Sequence, residues 1–381
     1  MDPQILLQAL NHHLNTNIDV NHDLIIFDEI QEVPAALTSL KYFYEEMPEL
    51  TICAAGSLLG IFLAQEGSYP VGKVELMSLY PMCFEEFLLA SGQDQLVDSI
   101  HQLWEGSTIH DIVHDQIWSQ LKHYFIVGGL PESVAVFIEN KQESLGVAFQ
   151  KVRNKQNDLI VAYESDIAKH SGKLNSMTIS RLLRNIPAQL ASDLDHSKSK
   201  KFTFSNVSKE VSGYQRLSSS IDWLETAGLI YRMPIVNSGQ LPFSHYSKEN
   251  VFKLFIFDVG ILGALSDLSP VTIQNYDYGT YKGYFAENFV LQEFIFSGLN
   301  RVFAWREKSA EIEFLREKEG HVIPVEVKAG FVTQAKSLKV FLNKYKPEYC
   351  IILSAKPFQI STKFHYYPLY YARYCILPES N

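Results

Sequence analysis

The chain has 381 residues, 46% of them hydrophobic, which is enough to build two or three separate cores. Its formal net charge of −10 argues against coating nucleic acid with the whole surface, though not against a local basic patch. Cys53, Cys83, Cys350 and Cys375 lie scattered in apolar or aromatic segments without zinc-ligand spacing, so reduced, buried thiols are expected.

The N-terminus, "MDPQILLQALNHHLN", carries an acid at position 2 and no basic run, so it does not read as a signal peptide. Ile5, Leu6, Leu10 and Leu14 fall near one face of an amphipathic helix. "LIIFDEIQEVP", residues 24–34, reads as a buried strand ending in two adjacent carboxylates. A helix over "PAALTSLKYFYEEM" follows, with Pro34 in its first turn, and then a second buried strand, "TICAAG". That rhythm predicts a parallel α/β sheet. The most apolar run, "ICAAGSLLGIFLA", has 13 residues and is too short to span a bilayer. The expectation is a cytoplasmic protein without a membrane segment.

From about 75 to 195 the pattern is mainly helical, broken once at Gly128, Gly129 and Pro131. The polar stretch 192–210 carries His196, Lys198, Lys200, Lys201 and Lys209 and leads into a helix with Leu217, Ile221 and Leu224 on one face. A glycine stop at 228 and an apolar strand follow, the pattern of a winged helix. With Arg216, those basic residues could contact DNA phosphates; winged helices also serve as protein contacts. Beyond residue 250 strands dominate, with helices over "YKGYFAENFVLQEFIFSG" and "AKSLKVFLNKYK". The aromatic tail "FHYYPLYYARY" reads as a core edge rather than a base-stacking platform.

Two constellations carry chemistry. At the end of the first strand, Asp28 suits a magnesium-side acid and Glu29 an acid that polarises an attacking water. Ser57, after the second strand, could sense a γ-phosphate, and Lys73 could face phosphate as a cation. The second constellation is "AEIEFLREKEGHVIPVEVKAG", a hairpin turning near Glu319-Gly320. Alternation places Glu311 and Glu313 on one face of its first arm, and Glu326 and Lys328 on one face of its second. An acid followed by E-x-K is the arrangement of PD-(D/E)XK nucleases, in which carboxylates hold Mg2+ and the lysine orients water. Glu287, in the preceding helix, could complete the metal set. The bland alternative is an exposed hairpin with ordinary Glu–Lys pairing.

"DEIQEVPAALTSLKYFYEE", "AAGSLLG", "YPVGKVE", "LYPMCFEEFLLASG", "VGGLPE", "IPAQLA", "WLETAGLIYR", "FKLFIFDVGILGAL" and "YKGYFAENFVLQE" occur in that order. Together they resemble a group of bacterial and archaeal AAA-type P-loop ATPases that carry a C-terminal domain of unknown function. The resemblance covers nearly the whole chain. It implies Asp28 as the Walker B magnesium-side acid, Glu29 as the catalytic acid and Ser57 as sensor, with ATP and Mg2+ as cofactors. Many relatives have arginine where Lys73 stands and aspartate where Glu313 stands. The expected architecture is α/β in four parts: the later part of an AAA-type ATPase core over 1–90, a helical region over 91–195, a winged helix over 196–265, and a PD-(D/E)XK nuclease-like domain over 275–381.

One part of the pattern is missing. Relatives carry G-x-x-x-x-G-K-[ST] upstream of the acid pair, in a strand–loop–helix unit. The 23 residues before Leu24 contain no glycine, and the Gly-Lys pairs at 72–73 and 172–173 are followed by Val and Leu. The expectation is therefore a truncated AAA-type protein unable to hydrolyse ATP by itself. Its alternatives are a magnesium-dependent nuclease-like protein and a non-catalytic DNA- or protein-binding remnant.

Overall fold

The computed structural model describes residues 2–56, 59–60, 72–104, 108–191, 202–204, 207, 213–279, 281–299, 301–331 and 336–376. The chain is mixed α/β and divides into two compact units, one of residues 1–79 with 222–229, the other of residues 80–221 with 230–381. No helix among the described residues is long and apolar enough to cross a membrane.

The first unit begins with helix α1 (Pro3–Leu14), capped by Asp2, whose carboxylate accepts from the Gln4 N–H at 2.8 Å. Strand β1 (Leu24–Phe27), helix α2 (Pro34–Glu46) and strand β2 (Thr51–Ala54) follow. The strands pair in parallel, Leu24 with Thr51 through Phe27 with Ala54. Leu7, Phe43 and Leu50 form the core beneath them, with Ile25, Phe27 and Ile52 packed against it. The two strands were expected to be buried, and they are so only in part: Leu24 is 51% and Ile26 64% exposed. The helices cover one face of this two-stranded sheet, so alternate residues of each strand remain open. Cys53 lies on that open face and is exposed, against the expectation for the thiols; Cys83 and Cys350 are buried.

The second unit continues with helices α3 (Phe84–Ala90), α4 (Asp94–Trp104), α5 (Asp111–Val127), α6 (Pro131–Asn140), α7 (Leu145–His170) and α8 (Lys173–Ala191). Helix α9 (Tyr214–Thr226), whose residues from Asp222 onward are assigned to the first unit, ends at Gly228, which takes φ +72°. After it come β3 (Ile230–Val236), β4 (Ser247–Ile256), α10 (Val259–Leu265), α11 (Pro270–Gln274) and α12 (Tyr281–Phe296). The remainder is β5 (Phe303–Glu307), β6 (Ala310–Lys318), β7 (His321–Val327), α13 (Lys336–Tyr345), β8 (Cys350–Ser354), β9 (Gln359–Ile360) and β10 (Phe364–Pro368).

β3 to β10 form one sheet in the order β4-β3-β5-β6-β7-β8-β10-β9. The strands expected to make the wing of a separate domain over 196–265 are thus the edge pair of the sheet that also holds the E-x-K hairpin. Ile235 and Val236 of β3 pair with Ala304 and Trp305 of β5, which joins the two halves. The β6–β7 hairpin turns where expected, with Glu319 at φ 53° and Gly320 at φ 82°. Two consecutive positive φ values make the tight turn that suits the strand twist.

Helix α12 is buried from Phe285 to Phe294 without interruption. Its buried polar side chains all find partners, most of them backbone groups. The Asn288 amide accepts from the Ile256 N–H at 3.0 Å and donates to the Ile256 carbonyl at 2.8 Å. Gln292 accepts from the Val259 N–H and donates to the Tyr124 hydroxyl. Glu293 accepts from the Phe84 N–H at 2.9 Å.

The "VGG" break does more than end α5. Asp258, fully buried, accepts from the N–H groups of Gly129 at 2.7 Å and Ile261 at 2.9 Å. A methyl group at Gly128 would sit 2.2 Å from an Asp258 oxygen, and one at Gly129 would sit 2.1 Å from the Met82 carbonyl oxygen. Gly129→Ala is therefore expected to cost about 1–3 kcal/mol, the range for overpacking a closed core. The urea midpoint of the second unit reads this, and an unchanged midpoint would contradict the packing.

Candidate functional site

Asp28 and Glu29 stand just past the carboxyl end of β1, both exposed. The strand end is fixed against β2 by the Ala55 N–H to Phe27 carbonyl bond at 2.8 Å and the Ile30 N–H to Ala55 carbonyl bond at 3.0 Å. Between them Glu29 takes a left-handed conformation, φ 47° and ψ 47°, which throws its side chain out of the strand direction. Asp28 accepts from the Glu29 N–H at 3.0 Å, and the Gln31 amide donates to the Glu29 carboxylate. Gly56 lies beside this turn: a methyl group there would meet the Gln31 side-chain oxygen.

Lys73 is not brought to these acids. Its ammonium lies 3.5 Å from Glu45 and 4.8 Å from the centre of the Tyr44 ring, at the last turn of α2. The acids precede the first turn of that helix, and the helix between is about 17 Å long at 1.5 Å per residue. Ser57 lies outside the described residues, as do His196, Lys198, Lys200, Lys201 and Lys209; Arg216 is exposed on α9.

The second constellation does converge. Phe314 of β6 pairs with Val325 of β7, which sets Glu313 opposite Glu326 one step further along. Lys328 continues β7 through its N–H to the Leu353 carbonyl at 2.8 Å. Its ammonium lies 2.5 Å from Glu326 Oε1 and 3.7 Å from Glu313 Oε1. The other Glu313 oxygen accepts from the Val327 N–H at 3.2 Å. Glu313 and Glu326 are 5% and 3% exposed, so this is a buried cluster and not the exposed hairpin face of the bland reading.

Glu287 joins the cluster through a residue that the motif did not include. Lys253, in the middle of β4, places its ammonium 3.1 Å from Glu287 Oε2 and 2.6 Å from Glu311 Oε1. Glu287 and Glu313 act electrostatically on both lysines, so the four carboxylates and two ammonium groups form one cluster. The signal for Lys253 was present in the sequence: a lone lysine inside the apolar run "VFKLFIF" has to find an acid when it is buried.

Burial raises the Glu326 carboxyl, and the charge of Glu313 raises it further; Lys328 opposes them, and the balance is a pKa of about 8. For Lys253 and Lys328, burial pulls the ammonium pKa down, but the adjacent carboxylates win and hold both above the ordinary lysine value. The cluster therefore keeps two ammonium groups, and the Glu313–Glu326 pair takes up a proton more readily than an ordinary carboxyl does. Neither lysine is available as a base.

A divalent metal does not fit this donor set as it stands. One oxygen each of Glu287, Glu311 and Glu326 is turned to a lysine ammonium group, and a second cation beside them would be repelled at short range. Among the described residues no group of three or more His, Cys, Asp or Glu is arranged to hold a metal ion.

Three family models match the chain. The AAA domain model matches residues 2–88, a domain of unknown function (DUF8612) matches 119–272, and a second (DUF4143) matches 282–372. The chain thus carries an AAA domain at its N-terminus and a DUF4143 domain at its C-terminus, consistent with an AAA-type ATPase with a C-terminal domain. The two domains of unknown function share the eight-stranded sheet, since β3 and β4 lie in one match and β5 to β10 in the other. No curated protein and no solved structure matches.

The raised Glu326 pKa has a consequence for stability. The folded state holds a proton that the unfolded chain has released, so this contribution is present below about pH 4.5 and is lost as pH rises through about 8. Glu326→Gln is expected to flatten the decline of unfolding free energy between about pH 4.5 and 8, measured by urea titration. An undiminished slope would show that Glu326 ionises normally.

Proposed function

We propose that this chain is an AAA-type ATPase-like protein in which Asp28 and Glu29 are the acid pair of a nucleotide site. The observation that carries the reading is their position. Two adjacent exposed carboxylates follow a parallel strand, beside the end of its neighbour, within the segment that the AAA domain model matches. In that role Asp28 would hold Mg2+ through water and Glu29 would polarise the attacking water, while ATP supplies the bond that is broken.

The same reading limits what residues 1–381 do in isolation. They include no G-x-x-x-x-G-K-[ST], and Lys73 is engaged at the far end of α2. Without the loop's backbone N–H groups and lysine, the β- and γ-phosphates lack their main ligands. The acids fit a nucleotide; the phosphate cradle does not. The 381 residues alone are thus read as an incomplete hydrolase.

A nuclease-like reading draws support from the convergence of Glu313, Glu326 and Lys328 with Glu287. The electrostatics weigh against it, since the Glu326 carboxyl is raised and Lys328 is held as an ammonium beside it.

A turnover assay with radiolabelled ATP and Mg2+ separates these outcomes. The purified 381-residue polypeptide is expected to release phosphate no faster than its Glu29→Gln variant. Turnover that Glu29→Gln abolishes would show that the phosphate ligands are supplied from within these residues, contrary to the proposal.

A further inference from the structure

The disagreement between the acid-rich cluster and a metal site has its own explanation, independent of the nucleotide reading. Lys253 is 3% exposed and lies in a strand whose neighbouring residues, Phe252 and Leu254 to Ile256, are buried and apolar. A buried charge of this kind persists only where opposite charges surround it. Its ammonium is placed between Glu287 from α12 and Glu311 from β6, 3.1 and 2.6 Å away, with Glu313 close enough to act on it. Glu313 and Glu326 are tied in turn to Lys328. Four carboxylates from one helix and two strands thus face two ammonium groups.

The geometry points to Lys253 as the resident cation of this cluster, its ammonium holding the position between Glu287 and Glu311 that a divalent metal would otherwise take. A lysine carried by the chain fills the position at every metal concentration, so the native protein keeps the cluster closed to Mg2+ or Mn2+. Removing the ammonium leaves Glu287 and Glu311 uncompensated beside Glu313. Hard carboxylate oxygens, one set from α12 and the other from β6, are the donors that such an ion prefers.

The test uses Mn2+ as the probe on the full chain, with binding read from the EPR signal of the free ion and stability from the thermal midpoint. Wild-type protein is expected to bind no Mn2+ at the cluster, and its midpoint to be unmoved by the ion. Lys253→Met is expected to gain one site at least tenfold tighter than any in wild type, to lose it again when combined with Glu311→Gln, and to rise in thermal midpoint with Mn2+. Where the single variant does not fold, Lys253→Met with Glu287→Gln removes one charge of each sign, and it too must bind Mn2+ more tightly than wild type. Two results would overturn the inference. One is a wild-type Mn2+ site that Glu311→Gln removes; the other is a folded Lys253 variant with no gain in binding.

Discussion

Helix α12 has no solvent-facing side on which to place its polar residues. From Phe285 to Phe294 every residue is buried, and among them are Glu287, Asn288, Gln292 and Glu293. Each unmet polar group in such a position would cost about 1–3 kcal/mol, so each must find a partner. Asn288 takes both backbone groups of Ile256, Gln292 takes the N–H of Val259, Glu293 takes the N–H of Phe84, and Glu287 takes Lys253. One helix thereby fixes the end of β4, the entry to α10 and the start of α3. The rest of the second unit follows from that constraint. Gly128 and Gly129 are glycines because Asp258 and the Met82 carbonyl occupy the space where a side chain would go.

The same helix decides the chemistry of the carboxylate cluster. It delivers Glu287 to the position where the E-x-K hairpin has already gathered Glu311, Glu313 and Glu326, and so much negative charge could not be buried uncompensated. Compensation comes from two lysines and a proton. Burial raises Asp258 to about 6 and Glu293 to about 7 as well, so carboxyls pushed up by burial recur through this unit. Breaking a buried ion pair by removing one partner typically costs about 3–5 kcal/mol. That penalty gives a structural reason for the arrangement apart from any reaction.

Much of this was legible in the sequence, for physical reasons. Strong local signals survived: the positive-φ turn at Glu319-Gly320, the glycine stop after α9, the helix over residues 281–296, and the pairing of Glu313 with Glu326 and Lys328. What failed depended on neighbours. A run of four apolar residues reads the same whether a sheet is covered on one face or two, so the exposure of Leu24, Ile26 and Cys53 was hidden. Alternation within the strands after α9 could not say which sheet they join, and they complete the one expected to begin after residue 275. A glycine pair read as a simple break because the carboxylate packed on it comes from Asp258, far along the chain. Lys253 escaped because the motif was sought in one hairpin, while its fourth element, β4, is separated from that hairpin by two strands of the sheet.

The claim underlying the account is that the polar side of α12 locks the second unit together. Native-state hydrogen exchange in urea addresses it directly, at the amides of Phe84, Ile256 and Val259. If the lock is real, these amides exchange only through global unfolding of that unit, with the same dependence on urea as Val325 and Ile351 in the central sheet. Exchange of the three through a local opening that urea does not affect, while the sheet amides stay protected, would contradict it.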